Sequence, residues 1–90
     1  MTAERIDRMR ALLEAALGPT RLEIRDDSAA HAGHAGASGG AGHYTIGIES
    51  AAFAQLPPLR RHRLVYDALS GMMPAEIHAL SIDARAPDER

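Results

Sequence analysis

The chain has 90 residues and a formal net charge of −2, from ten arginines, no lysine and twelve acidic residues, and it contains no cysteine. A chain of this length forms one domain around one modest core, and this charge is too balanced to drive general polyanion binding. Because cysteine is absent, disulfides and catalytic thiols are excluded, and any iron–sulfur chemistry would need imidazole from this chain and sulfur from a partner.

The first half of the chain predicts one helix and one strand. Apolar residues recur at helical spacing from Ile6 to Leu17, before a stop signal at Gly18-Pro19, which predicts an amphipathic helix. Residues 21–25 alternate between polar and apolar side chains, as a half-buried strand does. Residues 29–42 contain Ala, Gly, His and Ser almost exclusively, and we predict a long flexible loop there.

The second half predicts a strand, a helix and a further strand. Residues 43–50 alternate again, and residues 51–56 are consistent with a short helical turn. Pro57-Pro58 can open a helix, since proline is tolerated in the first turn. Residues 78–85 alternate as a third strand, and we expect the polar tail, residues 86–90, to be frayed.

The order α, β, β, α, β predicts the topology of one domain over residues 1–90. Strands joined without a helix should be antiparallel, whereas a helical crossover joins parallel strands with a right-handed turn. All three predicted strands are apolar on one face only, so both helices should cover the same side. We therefore predict a two-layer α/β domain with a mixed three-stranded sheet and one open sheet face.

The location of the protein is predicted from its lack of long apolar runs. No stretch approaches the roughly 18 apolar residues of a membrane span, and residues 1–10 are charged rather than apolar. We expect a soluble, cytoplasmic protein without membrane contact. A monomer is the expected state, and a weak homodimer is the open alternative.

Two of the five histidines allow a ligand role or a structural role. His78 shares strand parity with Leu80 and Ile82, so we expect its side chain to start toward the helix-covered side. From this pattern alone, a partly buried structural histidine and a metal ligand are equally good interpretations. His31 lies in the predicted loop, where the alternatives are a solvated histidine and a ligand on a segment that closes over a metal.

The other histidines carry weaker signals. His34 forms a His-x-x-His spacing with His31 and could replace it, or add a nitrogen for zinc or copper. His43 opens a strand on its polar face, and a surface or structural role is favoured. His62 lies on one helical stripe with Tyr66, so we interpret both as structural residues at the core boundary.

Catalytic signals are weak. There is no glycine-rich phosphate loop, and Asp26-Asp27 is more simply a turn than a pair of catalytic carboxylates. We therefore predict that the chain is not an enzyme.

Several segments of the chain resemble the BolA family, and the resemblance covers about residues 4–87. One departure is visible, because many members carry glycine two positions after the matching phenylalanine, where this chain has Gln55. The matching segments are residues 22–28 (LEIRDDS) with His31, the pair His43-Tyr44, Phe53, residues 61–66 (RHRLVY) and residues 77–82 (IHALSI).

The resemblance implies an α/β fold similar to the class II KH fold and a partnership with a monothiol glutaredoxin. The two proteins would share a two-iron two-sulfur cluster, for iron or redox sensing or for cluster trafficking. By similarity, His78 is one ligand and His31 the other, with His34 as the alternate. The glutaredoxin and its bound glutathione would supply two thiolates.

The alternative function is that of a DNA-binding transcriptional regulator. It would use the basic helix that contains Arg60, Arg61 and Arg63, a segment considered for DNA contact in the family that this chain resembles. A charge cluster of this kind is more often a solvated face, and it could equally contact an acidic partner.

Overall fold

The computed structural model describes residues 2–27 and 42–89. The predicted order of elements is confirmed, with a short 3₁₀ turn on each side of the second helix. The predicted flexible loop, residues 29–42, lies outside the described residues except for Gly42, which begins a strand. The elements are α1 (Thr2–Leu17), β1 (Arg21–Asp26), β2 (Gly42–Glu49), α2 (Pro58–Ala68) and β3 (Ile77–Arg85), with 3₁₀ turns at Ala51–Phe53 and Ser70–Met72.

The sheet has the predicted mixed topology. Its strand order is β1-β2-β3, with β2 antiparallel to β1 and parallel to β3. The parallel pair is joined through α2, as a helical crossover requires. In the parts of the chain that the structure describes, no helix has the length and apolar character needed to span a bilayer.

One core joins both helices to one face of the sheet. Met9 and Leu13 of α1 and Ile46 of β2 are fully buried in one cluster, which also contains Val65 of α2 and Leu69, the residue that follows this helix. Along β2 the buried and half-buried residues alternate, because successive side chains of a strand point to opposite faces. Both helices therefore cover one side of the sheet, and within residues 2–27 and 42–89 neither helix covers the other side, which we call the open face.

Helical spacing in the sequence predicts an apolar stripe of Leu59, His62, Tyr66, Leu69 and Met73, and the structure buries this stripe only in part. Leu59 is 70% exposed and Tyr66 is 38% exposed, whereas Val65 and Leu69 are fully buried. Arg61 lies one turn before Val65 on the buried stripe, and an arginine at that position makes the stripe look polar in the sequence. Tyr66, at 38% exposed, and the half-buried His62 both lie at the edge of the core, and their assignment as structural residues stays a prediction.

Arg61 holds the end of the chain in place. Its guanidinium donates to both carboxylate oxygens of Glu89, at 2.5 and 2.7 Å, and to the carbonyls of Leu56 at 2.7 Å and Ala84 at 3.1 Å. Glu89 also accepts from the backbone N–H of Ala86. These bonds tie residues 86–89 to α2 and β3 in the structure, where a frayed tail was expected from the sequence.

The turn after Phe53 adopts a left-handed backbone at Gln55. The φ angle of Gln55 is +68°, a region that disfavours residues with a Cβ and suits glycine. Ahead of the turn, Ser50 Oγ accepts from the N–H of Ala52 at 3.0 Å and donates to the carbonyl of Leu17 at 2.5 Å. Gln55 thus occupies a backbone conformation that glycine, the residue expected here from the resemblance, adopts without strain.

Candidate functional site

His78 is the extra residue of a β-bulge at the start of β3. His43 of β2 lies opposite Ala79, while the residue before His43 lies opposite Ile77, so the pairing passes over His78. Ile77 is fully buried and His78 is exposed. The expectation that His78 faces the helix-covered side with Leu80 was wrong, because a bulge changes the alternation of faces and redirects one side chain.

The bulge brings two imidazole rings together. The ring centroids of His43 and His78 are 5.1 Å apart, with an angle of 43° between the ring planes. His43 is half-buried, and its Nε2 atom is shielded from solvent. The end of the sheet where β2 and β3 begin therefore presents two nitrogen-bearing side chains side by side.

Two imidazoles do not complete a metal site. Within residues 2–27 and 42–89, no group of three or more His, Cys, Asp or Glu side chains is placed to hold a metal ion. The described residues can therefore supply nitrogen donors to a metal but cannot enclose it. The remaining ligands would have to come from elsewhere.

Glu76 anchors the chain just before the bulge. Its carboxylate accepts hydrogen bonds from Arg8 of α1 and lies 3.8 Å from Arg5 Nε. Its backbone carbonyl accepts from the N–H of Gly42 at 3.0 Å. The segment that leads into His78 is thus tied both to α1 and to the start of β2.

A second network fixes the other side of His43. The carboxylate of Asp27 accepts from Arg25 Nε at 2.8 Å and from the Thr45 hydroxyl, and the Asp27 N–H donates to the carbonyl of His43 at 2.8 Å. Asp27 and Gly42 are the described residues that flank residues 28–41, and both lie beside His43. His31 and His34, the loop ligands implied by the resemblance, lie outside the described residues.

The basic surface of α2 is smaller than the sequence suggested. Arg60 and Arg63 are exposed, but Arg61 is committed to Glu89 and to two carbonyls. Arg61 is thus held by partners within the chain, and its contact with a partner protein or DNA stays a prediction. Contact through Arg60 and Arg63 stays a prediction, and these residues lie on the helix side of the sheet, away from its open face.

The pairing of His43 with His78 was not foreseen in the sequence, although a signal for it existed. Each residue stands at the start of a predicted strand, and the two strands were predicted to be parallel. The starts of two adjacent parallel strands lie at the same end of a sheet. The proximity of the two histidines followed from the topology, even though strand parity gave the wrong face for His78.

Relatives with similar sequences carry the BolA name. The chain is 43% identical over 79 residues to BolA-like protein 1 of Mus musculus, covering 88% of this chain and 56% of the mouse protein. It is 44% identical over 87 residues to SufE-like protein 1, chloroplastic/mitochondrial, of Arabidopsis thaliana, covering 91% of this chain and 24% of that protein. The chain thus spans about half the length of the mouse relative and a quarter of the plant one.

Solved structures show the same fold. The BolA domain of SufE1 from Arabidopsis thaliana superposes with a TM-score of 0.85 at 42% identity, covering 96% of this chain and 95% of that one. BolA1 from Arabidopsis thaliana gives a TM-score of 0.79 at 36% identity, covering 93% of both chains. The sequence profile of the BolA-like proteins matches residues 13–89. This chain therefore belongs to the BolA family.

Proposed function

We propose that this chain is a non-enzymatic adaptor that binds a monothiol glutaredoxin and supplies imidazole ligands to a shared two-iron two-sulfur cluster. The observation that carries the proposal is the position of His78, which is exposed on a β-bulge with its ring 5.1 Å from that of His43. An exposed ring can bind a metal held by another molecule without unfolding this one. The cluster is cargo that the two proteins hold, sense or pass on.

The donor set of this chain fits such a cluster only in part. A neutral imidazole binds iron through one ring nitrogen, and histidine replaces cysteine on one iron in some two-iron two-sulfur centres, which raises their reduction potential. The chain has no cysteine, so the thiolates must come from the partner and from its glutathione. This incomplete set favours a shared cluster over a resident one.

The second nitrogen ligand is proposed to be His31, with His34 as its alternate. Asp27 and Gly42, which flank the segment that contains both residues, are hydrogen-bonded beside the histidine pair. His43 is a third candidate because its ring already contacts that of His78. If His43 is not a ligand, its contact with the His78 ring orients that ring.

The test is a titration of cluster-loaded monothiol glutaredoxin with this chain, followed by visible absorption and circular dichroism. We expect the wild-type chain to change the spectrum and His78→Ala to abolish the change. Single alanine variants of His31, His34 and His43 then identify the second ligand by the largest loss. His62→Ala is the matched control, because His62 lies on α2 across the sheet, and a spectrum unchanged by the wild-type chain would refute the proposal.

A further inference from the structure

The face of the sheet opposite the helices presents charged side chains in rows across the strands. In one row Gly47 of β2 lies between Glu23 of β1 and Asp83 of β3. In the next row Arg21 and Arg85 lie on either side of Glu49. Both rows line a groove of about 360 Å³ whose floor is Gly47, because glycine leaves a gap where its neighbours carry long side chains.

Some charges on this open face have partners within the chain and others do not. Arg85 pairs with Asp83 at 3.0 Å. Among the described residues, no ion pair involves Arg21 or Glu23, although both are exposed. The β1 side of the groove thus offers one cation and one anion, two positions apart on the same face, to a binding partner.

The groove lies on the same face of the sheet as His43 of the histidine pair. His43 shares the open face with Gly47, four residues further along β2, which corresponds to about 13 Å along a strand. Thr45 lies between them on the same face. A protein that coordinates metal at the histidine end would therefore reach the groove, whereas α2, with Arg60 and Arg63, lies on the opposite side of the sheet.

We infer that the open sheet face is the docking surface for the thiol-bearing protein that completes the cluster, an inference that rests on the function proposed above. That partner should present a carboxylate toward Arg21 and a cation toward Glu23. A second copy of this chain cannot take this role, because it has no cysteine to complete the ligand set. Charged residues of all three strands line the groove, which suits a transient complex, since the cores of permanent interfaces are depleted in charge.

The inference leaves α2 accessible in the complex. Because the helix and the docking face lie on opposite sides of the sheet, a protein bound over Gly47 does not cover Arg60 or Arg63. An acceptor for the cluster, or DNA, could then contact α2 while the glutaredoxin is bound. Substitutions on the two faces should therefore affect different binding events.

The experiment is a binding titration of cluster-loaded monothiol glutaredoxin with wild-type chain and with Gly47→Arg. A Cβ added at Gly47 would lie 4.0 Å from Glu23 Cβ, an ordinary van der Waals distance, and an arginine between Glu23 and Asp83 fills the groove with favourable charge. The variant should therefore fold, which circular dichroism and thermal unfolding verify. We expect Gly47→Arg to bind the glutaredoxin at least tenfold more weakly than the wild-type chain does. The charge exchange Arg21→Glu with Glu23→Arg should weaken binding five- to tenfold.

The matched control is the double variant Arg60→Gln with Arg63→Gln, which we expect to bind within twofold of wild type. Binding of folded Gly47→Arg within twofold of wild type would overturn the inference while leaving the proposed function intact. A wild-type chain that forms no complex would overturn both. A third outcome is that the isolated chain dimerises and that Gly47→Arg abolishes the dimer without weakening glutaredoxin binding. That result would assign the face to a second copy of the chain and would also overturn the inference.

Discussion

The imidazole rings of His43 and His78 lie side by side, with centroids 5.1 Å apart, although 35 positions separate them in the chain. The contact depends on a single irregularity, the bulge that takes His78 out of the regular pairing of β2 with β3. Without the bulge, regular alternation from the buried Ile77 would turn the apolar residues later in β3 toward the open face. The bulge therefore lets β3 keep its apolar residues in the core while the histidine faces outward.

Because His78 is exposed, substituting it should affect cluster binding without affecting the stability of the fold. We expect His78→Ala to change the free energy of unfolding by no more than about 0.5 kcal/mol while it abolishes the spectral change with the glutaredoxin. The neighbouring residue Ile77 is fully buried, and Ile77→Ala should cost about 2–5 kcal/mol. Urea unfolding of both variants checks this, and a large destabilisation by His78→Ala would show that the residue is structural.

Two leucines, Leu59 in α2 and Leu69 directly after it, test which side of this helix faces the core. Leu69 is fully buried and Leu59 is 70% exposed. Leu69→Ala should therefore lower the free energy of unfolding by about 2–5 kcal/mol, through lost burial and a residual cavity. Leu59→Ala should stay within about 0.5 kcal/mol of wild type, and equal effects in urea unfolding would contradict the packing described here.

Gln55 offers a stabilising substitution. Its left-handed backbone, with φ at +68°, costs a residue with a Cβ about 1–2 kcal/mol, while glycine in the unfolded chain costs about 0.4–1 kcal/mol of entropy. Gln55→Gly should thus raise the free energy of unfolding by about 0.5–1 kcal/mol. Gln55→Ala keeps the Cβ and serves as the control, and a loss of stability in the glycine variant would contradict the turn geometry.

The contact between Arg61 and Glu89 predicts a pH dependence of stability. The hydrogen bonds from Arg61, and then that from the Ala86 N–H, lower the pKa of Glu89 from 4.5 to about 2. Because the folded-state pKa is the lower one, the stabilisation is fully present above pH 4.5 and is lost as the pH falls toward 2. The difference in urea midpoint between wild type and Glu89→Gln should therefore close over this interval.

Glu14→Gln is the control for this titration, since it removes one negative charge from an exposed position on α1. The difference in urea midpoint between Glu14→Gln and wild type should not change with pH in the way expected for Glu89→Gln. A Glu89→Gln difference that stays constant from pH 6 to pH 3 would indicate that Arg61 does not hold the tail in solution. The tail would then be frayed, as the sequence alone suggested.

Much of the fold could be predicted from alternation and helical spacing. The strands of this chain are apolar on one face only, so the layer order and the mixed sheet followed from connection lengths and patterns. The bulge at His78 could not be predicted, because the residues before and after it look like one regular alternating strand. Its cause is the pairing of β3 with the start of β2, which is a tertiary contact.

The differences between the predicted and the observed surfaces of α2 have another origin. Two helical stripes overlap at the buried Leu69, and the more apolar of the two contains Leu59, which is 70% exposed. The buried stripe includes Arg61, whose charge is satisfied by Glu89 and by backbone carbonyls. A sequence pattern cannot show that an arginine has such partners 28 residues away, so it assigned the arginine to a binding surface.

The most direct test of the central claim is pulsed electron paramagnetic resonance of the reduced cluster complex. The chain would carry ¹⁵N-labelled histidine, and the glutaredoxin and glutathione would be unlabelled. The account predicts ¹⁵N couplings of directly bound imidazole, including one that His78→Ala removes. A cluster without any ¹⁵N coupling from this chain, held entirely by its partner, would contradict the account.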